Sequence, residues 1–173
     1  PDLEDLKRGV LKRTQLLFLN YPNNPTAAVA TEAFFAQAVE FAREHDVVLV
    51  HDAAYSEMYF DGVTTPSILQ TPGAKAVAVE FHSVSKTYNM TGWRIGFVVG
   101  NADVLSGLGA VKTNVDSGAF QAVQEAAVAA LTGDQSCVDE MRSVYERRRD
   151  VMVEGLRGLG LAPRQWAYRG GRS

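Results

Sequence analysis

Four short apolar runs, each stopping at residues that carry chemistry, limit what this chain can fold into. They are LLFL ending in Asn20, VVLV ending in His51 and Asp52, AVAVEF ending in His82 and Ser83, and IGFVV ending in Gly100. The first three lack polar alternation, which predicts strands covered on both faces, as in a parallel sheet. Strands are therefore expected at residues 15–20, 47–51, 76–82 and 95–99. Between the first two, Thr31 is placed to cap a helix whose Phe34, Phe35, Ala38, Phe41 and Ala42 form one apolar face. Further helices are expected at residues 102–112, capped by Asn101, and from Ser117 or Gly118 to Thr132. A long one, opened by Gly133 and Asp134, should run to Leu159, with Val138, Met141, Tyr145, Met152, Leu156 and Leu159 along one side as core. Strands alternating with helices in this way point to the α/β class.

The stretch FHSVSKTYNMTGWRIGFVV at residues 81–99 sets Lys86 in an S-x-S-K pattern behind Ser83 and Ser85, with Arg94 eight residues further on. A lysine amine of ordinary pKa, about 10.4, is mostly protonated at neutral pH and attacks a carbonyl only where its surroundings favour the neutral form. Arg94 offers a planar fork of donors suited to phosphate oxygens, and the two serine hydroxyls can donate beside it. S-x-S-K also occurs in ordinary surface loops, so position has to decide between the readings. This loop follows one apolar run and precedes another, which places it at the carboxyl end of a buried strand, where ligands of open α/β sheets bind. An amine nucleophile beside a phosphate grip suits a cofactor bearing both an aldehyde and a phosphate, namely pyridoxal 5′-phosphate.

The segment VVLVHDAAYSEMY carries what such a cofactor also needs. A carboxylate beside the pyridine nitrogen keeps it protonated and makes the ring an electron sink, and Asp52 at a strand end is the candidate. Tyr55, three residues on and facing the same way, is suited to donate to the ring's phenolate oxygen. Asp52 is equally suited to cap a short helix from Ala53, and the two roles are compatible. His51 reads as packing or support, because no second residue makes it half of a metal or nucleophile pair. In NYPNNPT at residues 20–26, two prolines fix the backbone and hold Asn23 and Asn24 in an extended turn. That pattern marks any turn and by itself names no ligand.

In content and in order these segments resemble the class I/II aminotransferases of the fold-type I pyridoxal phosphate enzymes, over about residues 16–159. The resemblance implies a three-layer α/β sandwich with a mostly parallel sheet, of which this chain is part of the large domain. It also implies pyridoxal 5′-phosphate as cofactor, amino acids and 2-oxo acids as substrates, and no metal. By resemblance the catalytic residues are Lys86, which links to the cofactor, Asp52, which pairs with the pyridinium nitrogen, and Tyr55. Asn24 joins Tyr55 at the phenolic oxygen, and Ser83, Ser85 and Arg94 hold the phosphate. The wording SVSKTYNMTGWRIGF together with VKTNVDSGAFQAVQEAAVAAL is most like the LL-diaminopimelate aminotransferase group. One departure is Ala27, where the family usually has the glycine of N-P-T-G. If the backbone there takes a positive φ, alanine costs about 1 kcal/mol or more relative to glycine.

The 173 residues suit a single domain, whereas the family's enzymes are considerably longer. The chain is therefore expected to be an internal part: residues 1–159 a portion of the cofactor-binding domain with its linking helix, and residues 160–173 a flexible tail. RQWAYRGGRS has three arginines, two glycines and no alternation, and none of Arg164, Arg169 and Arg172 stands in wording that matches the family's arginine for the substrate carboxylate. A 46% hydrophobic, 21% charged composition supplies a substantial core without a membrane-length apolar run. The net charge of −3 argues against a nucleic-acid partner. The single cysteine, Cys137, excludes an internal disulfide, and the charged start lacks a signal-like apolar stretch, so a cytoplasmic location is expected. If the resembled family's topology holds, both outer strands are exposed edges, which favours a homo-oligomer. The alternative to an aminotransferase is a non-catalytic remnant or interaction module that keeps part of the fold.

Overall fold

The computed structural model describes Leu3 and residues 8–162. Four strands, β1 (Leu16–Asn20), β2 (Val48–Asp52), β3 (Ala78–Ser83) and β4 (Gly96–Gly100), form one sheet in the order β1-β2-β3-β4. The first three run parallel, with Phe18 beside Val50 and Val50 beside Val79, and β4 returns antiparallel against β3. The helices are α1 (Arg8–Leu11), α2 (Glu32–His45), α3 (Val84–Thr87), α4 (Ala102–Val115), α5 (Gln121–Thr132) and α6 (Ser136–Gly158). Every strand lies within a residue or two of its expected span, the usual scatter of element ends.

Helix α2 is the crossover that lets β1 and β2 run parallel. The Thr31 hydroxyl accepts from the Phe34 amide at 3.0 Å, as a cap should, and Asp46 ends the helix in the left-handed region at φ 52°. Phe35, Ala38, Val39 and Ala42 are buried against Leu19, Leu49 and Ala78, while Phe34 and Phe41 of the expected face stay partly exposed. Burying a side chain the size of Phe35 contributes roughly 1.5–3 kcal/mol, and this helix-on-sheet core is where the chain concentrates its apolar burial. At the other edge, β4 lies so close to β3 that a Cβ at Gly96 would meet the His82 carbonyl at 2.5 Å and one at Gly100 the Ala78 carbonyl at 2.4 Å. Gly100 also has φ 136°, open only to glycine without strain.

Some expectations need correction. Strand β1 is not covered on both faces: Leu19 is buried, but Leu16 and Phe18, which point away from α2, are 50% and 69% exposed. Opposite α2 the sheet is closed over Val50 and Val79 and open over β1. Helix α4 continues to Val115, where Lys112 pairs with Asp116. Helix α5 starts at Gln121 rather than Ser117 or Gly118, because the Asp116 carboxylate accepts from the Gly118 amide at 2.7 Å and Gly118 turns the chain at φ 94°. The stripe on α6 is core only near its start: Val138 and Met141 are buried, whereas Met152 and Leu159 are 68% and 76% exposed. The tail reading of residues 160–173 falls, beyond Ala162, outside the described residues. No helix among the described residues is long and apolar enough to cross a membrane.

Candidate active site

The carboxyl ends of β1, β2 and β3 feed three turns that meet. The first turn is organised by its asparagines. Asn20 donates from Nδ2 to the Asp52 carbonyl at 3.1 Å and accepts on Oδ1 from the Asn24 amide at 3.0 Å and from Asn23 Nδ2 at 2.9 Å. Asn23 spends its own oxygen on Thr26, accepting from its amide at 3.2 Å and its hydroxyl at 2.7 Å. The peptide bonds Tyr21–Pro22 and Asn24–Pro25 are both cis. This arrangement leaves the Asn24 side chain to reach across, and its Nδ2 donates to the Tyr55 hydroxyl at 3.3 Å. Ala27 has φ 58°, so alanine does occupy a left-handed position there.

The second turn follows β2. Asp52 accepts on Oδ1 from the Ala54 amide at 3.2 Å, but the chain then makes a turn, with Ser56 N–H on the Ala53 carbonyl at 3.0 Å, instead of the short helix that an aspartate cap predicted. Tyr55 sits in this turn. In the third, Ser83 caps α3 by accepting from the Ser85 amide at 3.2 Å, and the four-residue helix lifts Lys86 so that its Nζ stands 5.7 Å from the centre of the Tyr55 ring. Ser85 is buried, and its carbonyl accepts from the Thr91 hydroxyl at 3.1 Å. Arg94 adopts φ 53° and donates from Nη1 to the Thr91 carbonyl at 2.9 Å. The structure thus joins Asn24, Tyr55 and Lys86 directly, and Asp52 to the Asn24 turn through Asn20. Ser83, Ser85 and Arg94 lie on the segment that carries Lys86. Lys86 has no ion pair among the described residues.

Sequence reasoning missed the polar cluster under these turns. Glu80, 2% exposed, receives His51 Nδ1 at 2.9 Å, His82 Nε2 at 2.8 Å, the Ser67 hydroxyl at 2.8 Å and the Ile68 amide at 2.9 Å. The other nitrogen of His51, Nε2, faces the Tyr21 carbonyl at 3.1 Å. A carbonyl only accepts, so Nε2 carries a hydrogen and a further proton lies between Nδ1 and the Glu80 carboxyl. Burial pushes the Glu80 carboxyl up, but the hydrogen bonds from His51, His82 and Ser67 outweigh it and hold the group well below the usual carboxylate range. The cluster ties β2, β3 and the Asn24 turn together. A signal existed in the sequence: a glutamate inside AVAVEF must be buried with partners or not buried at all.

These residues suit a phosphorylated aldehyde cofactor by the chemistry of the donor set: an amine over a tyrosine ring, an amide on the phenol oxygen, an exposed carboxylate at a strand end, and two serines and an arginine on the segment that carries the amine. A family description, aminotransferase class I and II, matches residues 1–167. The chain belongs to that family. Its enzymes are pyridoxal phosphate enzymes. The LL-diaminopimelate aminotransferase of Syntrophobacter fumaroxidans is 58% identical over 163 residues, covering 94% of this chain and 42% of the relative. That of Moorella thermoacetica is also 58% identical, over 160 residues, covering 92% of this chain and 41% of the relative. Among solved structures, substrate-bound BacF from Bacillus subtilis superposes with a TM-score of 0.88 at 42% identity, over 91% of this chain and 40% of that one. A double mutant of Thermus thermophilus aspartate aminotransferase gives 0.84 at 33% identity, over 94% and 42%. The fold is therefore part of the fold-type I aminotransferase architecture, and the chain spans about two-fifths of the length of the relatives it matches.

Proposed function

We propose that this aminotransferase-family chain is the portion that holds pyridoxal phosphate in a protein that transfers an amino group from an amino acid to a 2-oxo acid. The observation that carries the reading is Lys86 Nζ at 5.7 Å over the Tyr55 ring while Asn24 Nδ2 donates to the same tyrosine's hydroxyl at 3.3 Å. The three groups come from three different strand ends, the place where ligands of open parallel sheets bind. Relatives named LL-diaminopimelate aminotransferase at 58% identity support a diamino dicarboxylic acid as the amino donor of the complete protein. The complete protein is expected to work as a homo-oligomer.

When bound, the cofactor supplies an aldehyde for the substrate amine and a ring that accepts the electrons left at the α-carbon. The chain's own groups serve that chemistry. Asp52 offers its exposed carboxylate to a protonated ring nitrogen. Tyr55 and Asn24 present donors to a phenolate oxygen, their mutual hydrogen bond fixing both directions. Lys86 would provide the amine that meets the cofactor's aldehyde and, as a free amine, a base positioned to move the substrate's α-proton. Ser83, Ser85 and Arg94 would hold the phosphate, the Arg94 guanidinium being suited to charge-assisted bonds with its oxygens.

Incubation with pyridoxal phosphate, borohydride reduction and peptide mapping test the reading. Label concentrated at Lys86 is the expected result. Equal label at Lys7, Lys12, Lys75 and Lys112 would overturn it. Binding should be weak, each charge-assisted hydrogen bond that the rest of a complete enzyme would add being worth roughly 1.5–3 kcal/mol.

A further inference from the structure

The turns bearing Tyr55 and Lys86 leave neighbouring strands and lose their backbone connection at once. The amide of Ala53 donating to the Phe81 carbonyl at 2.9 Å is the last backbone hydrogen bond between them among the described residues. Beyond it, something else must hold the two turns at a fixed separation. Helix α6 touches both.

On the Tyr55 side, Arg142 donates from Nε to the Glu57 carbonyl at 3.2 Å, and its guanidinium lies 3.9 Å from the centre of the Tyr59 ring. About two turns further along α6, Arg149 grips both carboxylate oxygens of Asp61 at 2.7 and 2.9 Å and lies 5.1 Å from the Phe60 ring centre. The Asp61 amide donates to Glu146 at 2.7 Å, and Asp61 itself is in the left-handed region at φ 61°. On the Lys86 side, the Tyr88 hydroxyl donates to Gln135, just ahead of α6, at 2.7 Å, and the Tyr145 hydroxyl donates to Asn89 at 3.4 Å. Between the helix and the Lys86 turn lies a cavity of about 320 Å³, lined by Thr87, Tyr88, Gln135, Val138 and Arg142 among others. A close-packed interface would fix the separation by volume alone. Across a cavity, the tethers decide it.

We propose that α6 is a splint that sets the spacing of Lys86 and Tyr55, with Arg142 and Arg149 as its positioning residues. The proposal rests on the reading of Lys86 and Tyr55 as site residues, but the spacing itself can be measured without cofactor. Arginine suits both positions because one planar group stacks on an aromatic ring and bonds in a fork at the same time, which an ammonium cannot do.

The test uses the 173-residue chain in four forms besides the native one: Arg142→Met, Arg149→Met, Arg149→Lys, and the charge reversal Asp61→Arg with Arg149→Asp. Without cofactor, two-dimensional NMR should show contacts between the Lys86 side chain and the Tyr55 ring in the native chain. Each methionine variant should weaken them and speed amide exchange at residues 54–63 by roughly five-fold, leaving exchange in β2, β3 and α2 unchanged. Arg149→Lys should restore part of either, and the charge reversal, which takes the planar group off Phe60 and sets an acid beside Glu146 and Asp150, no more than that. In a separate arm, borohydride labelling with pyridoxal phosphate should shift away from Lys86 toward Lys75 and Lys112 in the methionine variants. Faster exchange with the Lys86–Tyr55 contacts intact would reduce the arginines to ordinary loop fasteners and overturn the splint, as would unchanged exchange. Native contacts that respond as expected, with no selective label at Lys86 in any form, would keep the splint and remove the cofactor reading.

Discussion

Replacing Glu80 by glutamine removes one charge from a buried group that four donors share. The native carboxylate accepts from four donors, His51 Nδ1, His82 Nε2, the Ser67 hydroxyl and the Ile68 amide, at 2.8–2.9 Å. A glutamine side chain has one acceptor oxygen, so it can serve only one of the two pairs. With the oxygen toward Ile68 and His51, the amide NH₂ faces Ser67 and His82. Ser67 can turn its hydroxyl, and His82, on the partly exposed flank where it stacks on Phe97 at 5.1 Å, can present a lone pair. What is not recovered is the charge assistance on the His51 side, where a proton held between two groups now has a neutral amide as its partner. Breaking a buried pair of this kind costs about 3–5 kcal/mol, a large share of the roughly 5–15 kcal/mol that holds a domain folded. Urea unfolding followed by circular dichroism at pH 7 should show that loss with an unchanged slope. The pH dependence supplies a second check. The folded Glu80 pKa is depressed, so its contribution is fully present above the unfolded carboxylate value and is lost as pH falls toward the folded one. The gap between native chain and variant should therefore narrow steadily below about pH 4.3. A loss under about 1 kcal/mol at neutral pH, or a gap that stays constant into acid, would refute the argument.

Two further outcomes follow from single backbone and surface positions. Ala27→Gly relieves a left-handed alanine at φ 58°; the gain of about 1–2 kcal/mol is offset by the extra unfolded-state freedom of glycine, about 0.4–1 kcal/mol, so a net stabilisation of about 0.5–1 kcal/mol is expected in the same urea assay, and a destabilised variant would contradict it. Phe18→Lys places a charge on the open face of the edge strand, where Phe18 is 69% exposed; sedimentation velocity should show less self-association with stability changed by no more than about 0.5 kcal/mol, and an unchanged association would mean that the open face is not what brings copies together.

Much of the architecture was legible in the chain because it rests on local rules. The apolar runs marked all four strands to within two residues, and Thr31 and Asn101 marked two helix starts through the side-chain oxygens that accept from Phe34 and Val104. The segments carrying Lys86, Asp52 and Tyr55 stood out by residue type at the ends of apolar runs, and Asn24 only through the family resemblance; that Asn24, Tyr55 and Lys86 meet is a matter of the folded sheet. Other features depend on which surfaces meet. Uninterrupted apolar character does not say whether a strand lies inside the sheet or at its edge, so the expectation for β1 fails: Leu16 and Phe18 face away from α2 and stay 50% and 69% exposed. The apolar stripe of α6 has the right period along its whole length, but period alone does not show where the helix leaves the core, and Met152 and Leu159 lie past that point. Only the folded sheet brings Glu80 beside His51 and Ser67, 29 and 13 positions away in the chain, and only it sets Arg149 against Asp61 across 88 positions. Pairings at such distances are decided by register and packing, not by any spacing along the sequence.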